Sequence, residues 1–345
     1  MKTSKLVIFT LLPVFLILSS CQASVVEVKG SEFLLDTIVE LTLYGRNHDT
    51  QNMLDEIFGM IKDYEQKYSR YIPESEIAAI NSNPHREIVV SEDTMEMLEK
   101  SLHFSAISDG LFDISIGTLV DLWDINGDNP HVPSAGDIAS ALERVDYRKI
   151  ILNQARNTVM LSVDGMKLDT GAVAKGFITD KLVSFLQEKE VESALLNLGG
   201  NLYLLGSKTD GSAWKIGIRN PYGLQGEYLG TVSVRNMSIV TSGIYERFFE
   251  ENQEIYHHIL NPKTGYPENN QLASVSILSP SSLLADGFST TVFLLGLEAG
   301  MDLVEKTEHV EAIMITRDKT VHISQGIKNG DIPFQVTNNE FTVME

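Results

Sequence analysis

Apolar residues along this chain recur with two different periods, and the order in which the periods change limits the architecture. Residues 38–44 alternate apolar and polar side chains, the two-residue period of a strand with one buried face, and residues 25–27 read the same way. Between 51 and 68, Met53, Leu54, Ile57, Met60, Ile61 and Tyr64 recur every three or four positions, which predicts an amphipathic helix. Ser91 is an N-cap type of residue with a helical pattern behind it (Met95, Leu98, Leu102, Ile107), and Asp109-Gly110 stops that helix. Turn chemistry makes 125–133 a loop, and a short helix is predicted over 135–144. Strands 150–152 and 158–161 pair around a turn at 153–157, 174–189 is helical, and 193–198 runs as a buried strand into Gly199-Gly200. Further strands are predicted over 214–219, 230–234, 238–241, 256–259 and 273–278. Helices follow over 284–297 and 301–307, and 311–316 with 321–323 closes as a hairpin. Strands and helices come in unequal runs rather than in regular strand–helix–strand units, so the predicted class is α+β with antiparallel pairs. No repeat of 20–50 residues is present, which excludes a solenoid or propeller.

The chain has 345 residues, enough for one large domain or two, and a net charge of −20. That charge argues against sequence-independent nucleic-acid binding, which needs a basic face. A phosphate ligand is compatible with it, because a metal ion or a few amides handle such a ligand locally. The single cysteine, Cys21, excludes an internal disulfide and a cysteine-based zinc site. Its position is informative. Lys2 and Lys5 precede an apolar run of about 13 residues, too short for a comfortable membrane span, and Ser19-Ser20 follow it. This is the pattern of a secretory signal. Leu18-Ser19-Ser20-Cys21 is similar to the bacterial lipobox, in which the cysteine is lipidated and becomes the new N-terminus; an ordinary cleaved signal with a chance cysteine is the alternative. The expected layout is a signal peptide over 1–20, a tether over 21–32 and a catalytic domain over 33–345. The expected location is a membrane, inner or outer, with the domain on its periplasmic or other extracytoplasmic side.

The familiar catalytic motifs are missing: no P-loop, no G-x-G-x-x-G after a strand, no H-E-x-x-H and no G-x-S-x-G. Five polar clusters remain, each with a plain structural alternative. In Asp169-Thr170-Gly171-Ala172-Val173-Ala174-Lys175-Gly176 a carboxylate and a lysine bracket small residues ahead of a helix, which suits an anion or is simply a capped loop. Asn197-Leu198-Gly199-Gly200-Asn201 is a close ligand approach or a turn. Thr241-Ser242-Gly243-Ile244-Tyr245-Glu246-Arg247 offers hydroxyls and an arginine able to fork a phosphate, or is a surface loop. His257-His258 stands before a Pro/Gly turn, with His258 as a general base or a structural histidine. Asp286 and Thr290 are four apart, so their oxygens share a helix face; the pair suits Mg²⁺, or Thr290 bonds back within its own helix. Together they suit Mg²⁺-assisted splitting or transfer of a phosphoryl group.

The order of these clusters resembles the ApbE family, the FAD:protein FMN transferases. The resemblance runs from about Phe33 to Ser324. It includes Tyr68-Ser69-Arg70-Tyr71, Glu74-Ser75-Glu76-Ile77, Asp109-Gly110-Leu111-Phe112-Asp113-Ile114 and Gly117-Thr118-Leu119-Val120. It continues through Asp169, Lys175-Gly176, Asp180, Asn197-Leu198-Gly199-Gly200 and Thr241–Arg247, and ends with His258-Ile259, Thr264-Gly265 and Asp286 to Thr290. What it implies is an α+β fold of two intertwined halves with flanking helices and a ligand cleft between them. It also implies a Mg²⁺-dependent enzyme that takes FAD, transfers FMN to a threonine or serine of a partner flavoprotein, and releases AMP. An FAD pyrophosphatase giving FMN and AMP, or a passive FAD-binding lipoprotein, are the competing readings. By the same resemblance, flavin and ribityl contacts fall at Leu35, Tyr71, Leu111, Phe112 and Asp113. Asp169, Lys175 and Ile259 are further FAD contacts. Asp286, Thr290 and the Ala172 carbonyl hold the metal, and His258 deprotonates the acceptor. One stretch departs from the family: Leu35-Asp36-Thr37 stands where Met-Gly-Thr is usual. Leucine keeps the apolar wall, and aspartate adds a side chain and a charge near a phosphorylated cofactor.

Overall fold

A computed structural model describes residues 25–45 and 50–344. Cys21 and the segment read as a signal lie outside the described residues. The centre of the fold is a nine-stranded sheet. Its spatial order is Val26–Leu34, Thr37–Gly45, Ser193–Leu198, Asn201–Gly206, Met237–Gly243, Leu272–Ser279, Glu311–Thr316, Thr320–Ile323 and Thr342–Val343. All neighbours are antiparallel except the last pair.

Both faces of this sheet are covered, and the alternation of side chains divides them. Leu41, Leu196, Tyr203, Val240, Val275 and Met314 point to the face carrying the helices Thr50–Tyr68, Ala174–Glu188 and Ser282–Leu295. Leu204, Ile239, Leu278 and Ile313 point to the other face, where the three-stranded sheet of Trp214–Arg219, Tyr228–Val234 and Phe334–Val336 packs. Strands buried on both faces lose the clean polar alternation, which explains why Asn201–Gly206 is not legible as a strand behind its glycine turn. A smaller core of Leu119, Trp123, Ile138, Ala141 and Leu260 joins the helices Gly117–Trp123 and Ala135–Leu142 to the loop after His258.

The α+β class agrees with the expectation, and one continuous sheet runs through the molecule. The N-terminal strand is longer than its sequence pattern suggests. Residues 26–32, read above as tether, form most of Val26–Leu34, which pairs at every position with Thr37–Gly45. Gly30 hides this strand in the sequence; a Cβ there would come within 2.8 Å of both Leu54 and Phe58, so the helix packs directly on backbone. The turn joining the two strands has positive φ at both Leu35 (54°) and Asp36 (56°), the type I′ geometry that tight hairpins prefer. Ser91 caps its helix as expected, accepting the Thr94 N–H at 3.3 Å. The strand expected over 256–259 ends earlier: Glu254–His257 pairs with Phe248–Glu251, which leaves His258 and Ile259 just beyond it.

Candidate functional site

The helices Ala174–Glu188 and Ser282–Leu295 meet without intervening bulk. A Cβ on Gly176 would lie 2.4 Å from the Ser282 carbonyl oxygen and 2.6 Å from Asp286 Cβ, so only glycine permits the approach. The Gly176 N–H donates to Asp286 Oδ2 at 2.8 Å. This supplies a missing cap: the N-cap residue of that helix is Val173, whose side chain has no acceptor. Asp286 is 5 % exposed. Burial pushes its carboxyl up to about 6, while Lys175, the Gly176 N–H and Asn201 pull the other way, so it is largely ionised at pH 7.

Thr290 is half-buried one turn further along, with its Oγ1 3.4 Å from Ser242 Oγ, and Ser242 is itself 2.9 Å from Ser289 Oγ. The Ala172 carbonyl, just before the helix Ala174–Glu188, accepts no hydrogen bond among the described residues. One carboxylate, one hydroxyl and one free carbonyl are hard oxygen donors, the kind of set Mg²⁺ completes with water or phosphate oxygens. No group of three His, Cys, Asp or Glu suited to a metal exists among the described residues, so any such site relies on these neutral oxygens.

His258 is half-buried, with Nδ1 3.2 Å from the Arg247 carbonyl, which also accepts the His258 N–H at 3.0 Å. With Nδ1–H as donor, the Nε2 lone pair is left for a substrate proton. Burial, then His257, Arg247 and Lys175, hold the imidazole down to about 3, so it is neutral at pH 7. Lys175 acts on both His258 and Asp286, which places the three in one electrostatic neighbourhood. His257 faces the other way, as strand alternation predicts. It is 4 % exposed, its Nε2 is 2.9 Å from the Glu268 carbonyl, and its ring packs edge-on against Phe293.

Asp169 and Tyr71 are joined by Arg70. Its Nη1 donates to Asp169 Oδ2 at 2.7 Å, its Nη2 to the Gly117 carbonyl at 3.0 Å and to Asp121, and its guanidinium lies 5.4 Å from the Tyr71 ring centre. Tyr71 is 74 % exposed and forms an open platform. Asp169 Oδ1 accepts the Gly171 N–H at 2.8 Å, and its own N–H bonds to Ile114. The segment 169–176 therefore runs from the Arg70 cluster to the Asp286 cluster.

Leu111 is half-buried, whereas the Phe112 ring is in the core against Phe104. Asp113 is buried, and its two oxygens accept from the Ser115 N–H and hydroxyl and from the Tyr147 N–H. The Phe112 and Asp113 side chains are thus taken up by the core and by a turn, and the Phe112 N–H donates to Ser108 Oγ at 2.9 Å. Leu35 is half-buried at the hairpin tip, its N–H donating to Glu65 at 2.7 Å; Ile259 is buried beside His258.

The arginine expected to fork a phosphate is already engaged. Arg247 Nη1 lies 3.1 Å from Asp36 Oδ2, and Nη2 donates to the Asp36 carbonyl at 3.1 Å. The added charge at Asp36 is therefore matched by a cation, and the hairpin tip is tied to the residue whose carbonyl orients His258. Sequence reasoning assigned Arg70 and Asp180 no role of their own, and Ser242 entered only as one of the hydroxyls of its loop. The only signal at Arg70 is its position inside Tyr68-Ser69-Arg70-Tyr71, because its partner carboxylate lies 99 residues away.

Residues 35–314 match the pattern of the ApbE family. The chain is 37 % identical over 322 residues to the FAD:protein FMN transferase of Treponema pallidum, covering 89 % of each chain. It is 35 % identical over 295 residues to one from Klebsiella pneumoniae, covering 85 % of this chain and 90 % of that protein. The crystal structure of the ApbE protein from Thermotoga maritima superposes with a TM-score of 0.80 at 27 % identity, covering 88 % of this chain and 98 % of the other.

Proposed function

The chain belongs to the ApbE family, and from that membership we propose that it is a Mg²⁺-dependent transferase moving FMN from FAD to a threonine or serine hydroxyl of a partner flavoprotein. The observation that carries this reading is the buried Asp286 carboxylate held on the Gly176 N–H, beside Lys175 in sequence, in a chain whose residues 35–314 match the family. In the transfer, the acceptor oxygen bonds to the FMN phosphorus. The bond from that phosphorus to the bridging oxygen breaks, and the bridging oxygen leaves with AMP. His258 Nε2 takes the acceptor proton, and the Nδ1–H bond to Arg247 keeps that nitrogen free and aimed. Asp286, Thr290 and the Ala172 carbonyl would hold Mg²⁺, which when bound supplies charge stabilisation at the phosphate oxygens. Lys175 adds a cation beside the same oxygens. Tyr71, Leu35, Leu111 and Ile259 offer the flavin apolar surface, and Asp169 is held for it by Arg70.

Incubation with FAD, Mg²⁺ and a candidate acceptor tests the reading. Flavin fluorescence on the denatured acceptor together with released AMP supports it. AMP without labelled acceptor makes the protein an FAD pyrophosphatase, and no AMP makes it a binding protein. The lipobox pattern supports a second part of the proposal, that Cys21 is lipidated and holds the domain at the outer side of a membrane. A Cys21→Ser variant should then move to the soluble fraction; retention as firm as the parent's overturns the anchor.

A further inference from the structure

The two helices that form the metal side cap each other. Asp286, on Ser282–Leu295, accepts the Gly176 N–H in the first turn of Ala174–Glu188. In return Asp180, on Ala174–Glu188, accepts three donors at the start of Ser282–Leu295: the Ser282 N–H at 2.6 Å, the Leu283 N–H at 3.0 Å and the Ser281 hydroxyl at 2.8 Å. A helix leaves four N–H groups without intrahelical partners. Here the Ser281 N–H goes to Ser279 Oγ at 3.2 Å, Asp180 takes the Ser282 and Leu283 N–H groups, and the Ser281 side chain takes that of Leu284 at 3.3 Å. Asn201 Oδ1 clasps both helices, accepting from Ser282 Oγ at 2.7 Å and from Thr179 Oγ1 at 3.3 Å.

We infer that Asp180 is a positioning residue that fixes the helix carrying Asp286 and Thr290. It anchors the turn that begins one helical turn before Asp286, through two backbone N–H groups that cannot move without moving the helix axis. Asp286 needs such support because one of its oxygens is spent on Gly176, which leaves a narrow choice of positions for the other. Burial raises the Asp180 carboxyl above its ordinary range, and the three donors oppose that shift, so its ionised form depends on their geometry. An aspartate inside the first helix would thereby act on a metal held at Asp286 through the second helix.

This inference rests on Asp286 being a metal ligand, and its test separates the two ideas. Mg²⁺ is titrated calorimetrically into the full chain, into Asp180→Asn and Asp180→Ala, and into Asn270→Ala. Asn270 donates to the Phe293 carbonyl at 2.7 Å, so that control loosens the opposite end of the same helix. Outer-shell partners of metal ligands typically contribute about 10–100-fold in affinity. The expected result is a rise of that order in the Mg²⁺ dissociation constant for Asp180→Ala and a smaller rise for Asp180→Asn, which keeps one acceptor. Asn270→Ala, at a similar loss of unfolding temperature, should bind Mg²⁺ as the parent does. If Asp180→Ala does not fold, Asp180→Asn carries the comparison. Asp180 variants that bind Mg²⁺ as tightly as the parent, or no more weakly than Asn270→Ala, overturn the inference alone. A parent chain that binds no Mg²⁺ overturns the metal reading and this inference with it.

Discussion

On the metal side, Asp286 is 5 % exposed, and its helix begins with every free N–H satisfied by a named acceptor. On the proposed flavin side, Tyr71 is 74 % exposed in a turn, and its neighbours Arg70, Asp121, Asp169 and Lys167 form an ion-pair network that reaches the surface. The first region sits on rigid helices, where a small displacement of a ligand oxygen costs function. The second presents a platform that a large planar ligand can reach. Under the proposed roles the difference is a division of labour: the side assigned to phosphorus is placed by packing, and the Tyr71–Asp169 side is placed by the Arg70 ion pairs.

The sharpest test of that division is at His258. His258→Ala should keep FAD binding and lose about 10²–10⁴-fold in transfer, the usual contribution of a general base. Some rate should return at high pH, where the acceptor hydroxyl loses its proton more readily. Covalent flavin on the acceptor, followed from pH 7 to pH 9, measures this. Asp286→Ala should cost about 10²–10³-fold, in the range found for removing one group that stabilises transition-state charge, and extra Mg²⁺ should recover part of the loss. On the flavin side, Arg70→Leu removes charge-assisted bonds worth about 1.5–3 kcal/mol, or about 10–100-fold in affinity. The KM for FAD should rise accordingly with kcat little changed. If kcat falls as far as in His258→Ala, the division of labour is wrong.

His257 supplies a smaller effect, on stability rather than rate. Burial holds its imidazole down to about 4, so the folded state binds fewer protons than the unfolded chain between that value and the ordinary 6.5. The stability it contributes is complete above about pH 6.5 and is lost as pH falls toward 4. Asp286, raised to about 6, works in the opposite direction over its own window down to 3.8. From pH 7 to pH 5 the His257 share is about 2 kcal/mol. His257→Ala should therefore show a shallower fall in urea midpoint between those pH values, with transfer at pH 7 near the parent's. The smallest effect is expected for Asp36→Gly. It removes an exposed ion pair worth about 0–1 kcal/mol and relieves a positive φ, so unfolding temperature and the KM for FAD should barely move.

Much of this was legible in the residues. The i,i+4 pair Asp286 and Thr290, the opposed faces of His257 and His258, and the Ser91 cap follow from local geometry that a short segment carries with it. The strand Val26–Leu34 was only partly legible, because Gly30 interrupts its pattern for a packing reason supplied by Leu54 and Phe58. Phe112 and Asp113 were expected as cofactor contacts from the family resemblance, and the fold shows that their side chains are spent on the core and on a turn.

By itself the sequence determined the helices and most strands, the family and the residue types available for chemistry, since periodicity, caps and turn residues act over a few positions. The tertiary structure alone decided which groups meet. Arg70 finds Asp169 across 99 residues and Asp180 finds Ser282 across 102. Arg247 is bound to Asp36 across 211 rather than left free for a phosphate. Such pairings depend on how sheet order and helix packing bring distant segments together. A buried charge or N–H must then find its partner among whatever those segments present, and no local pattern records that choice.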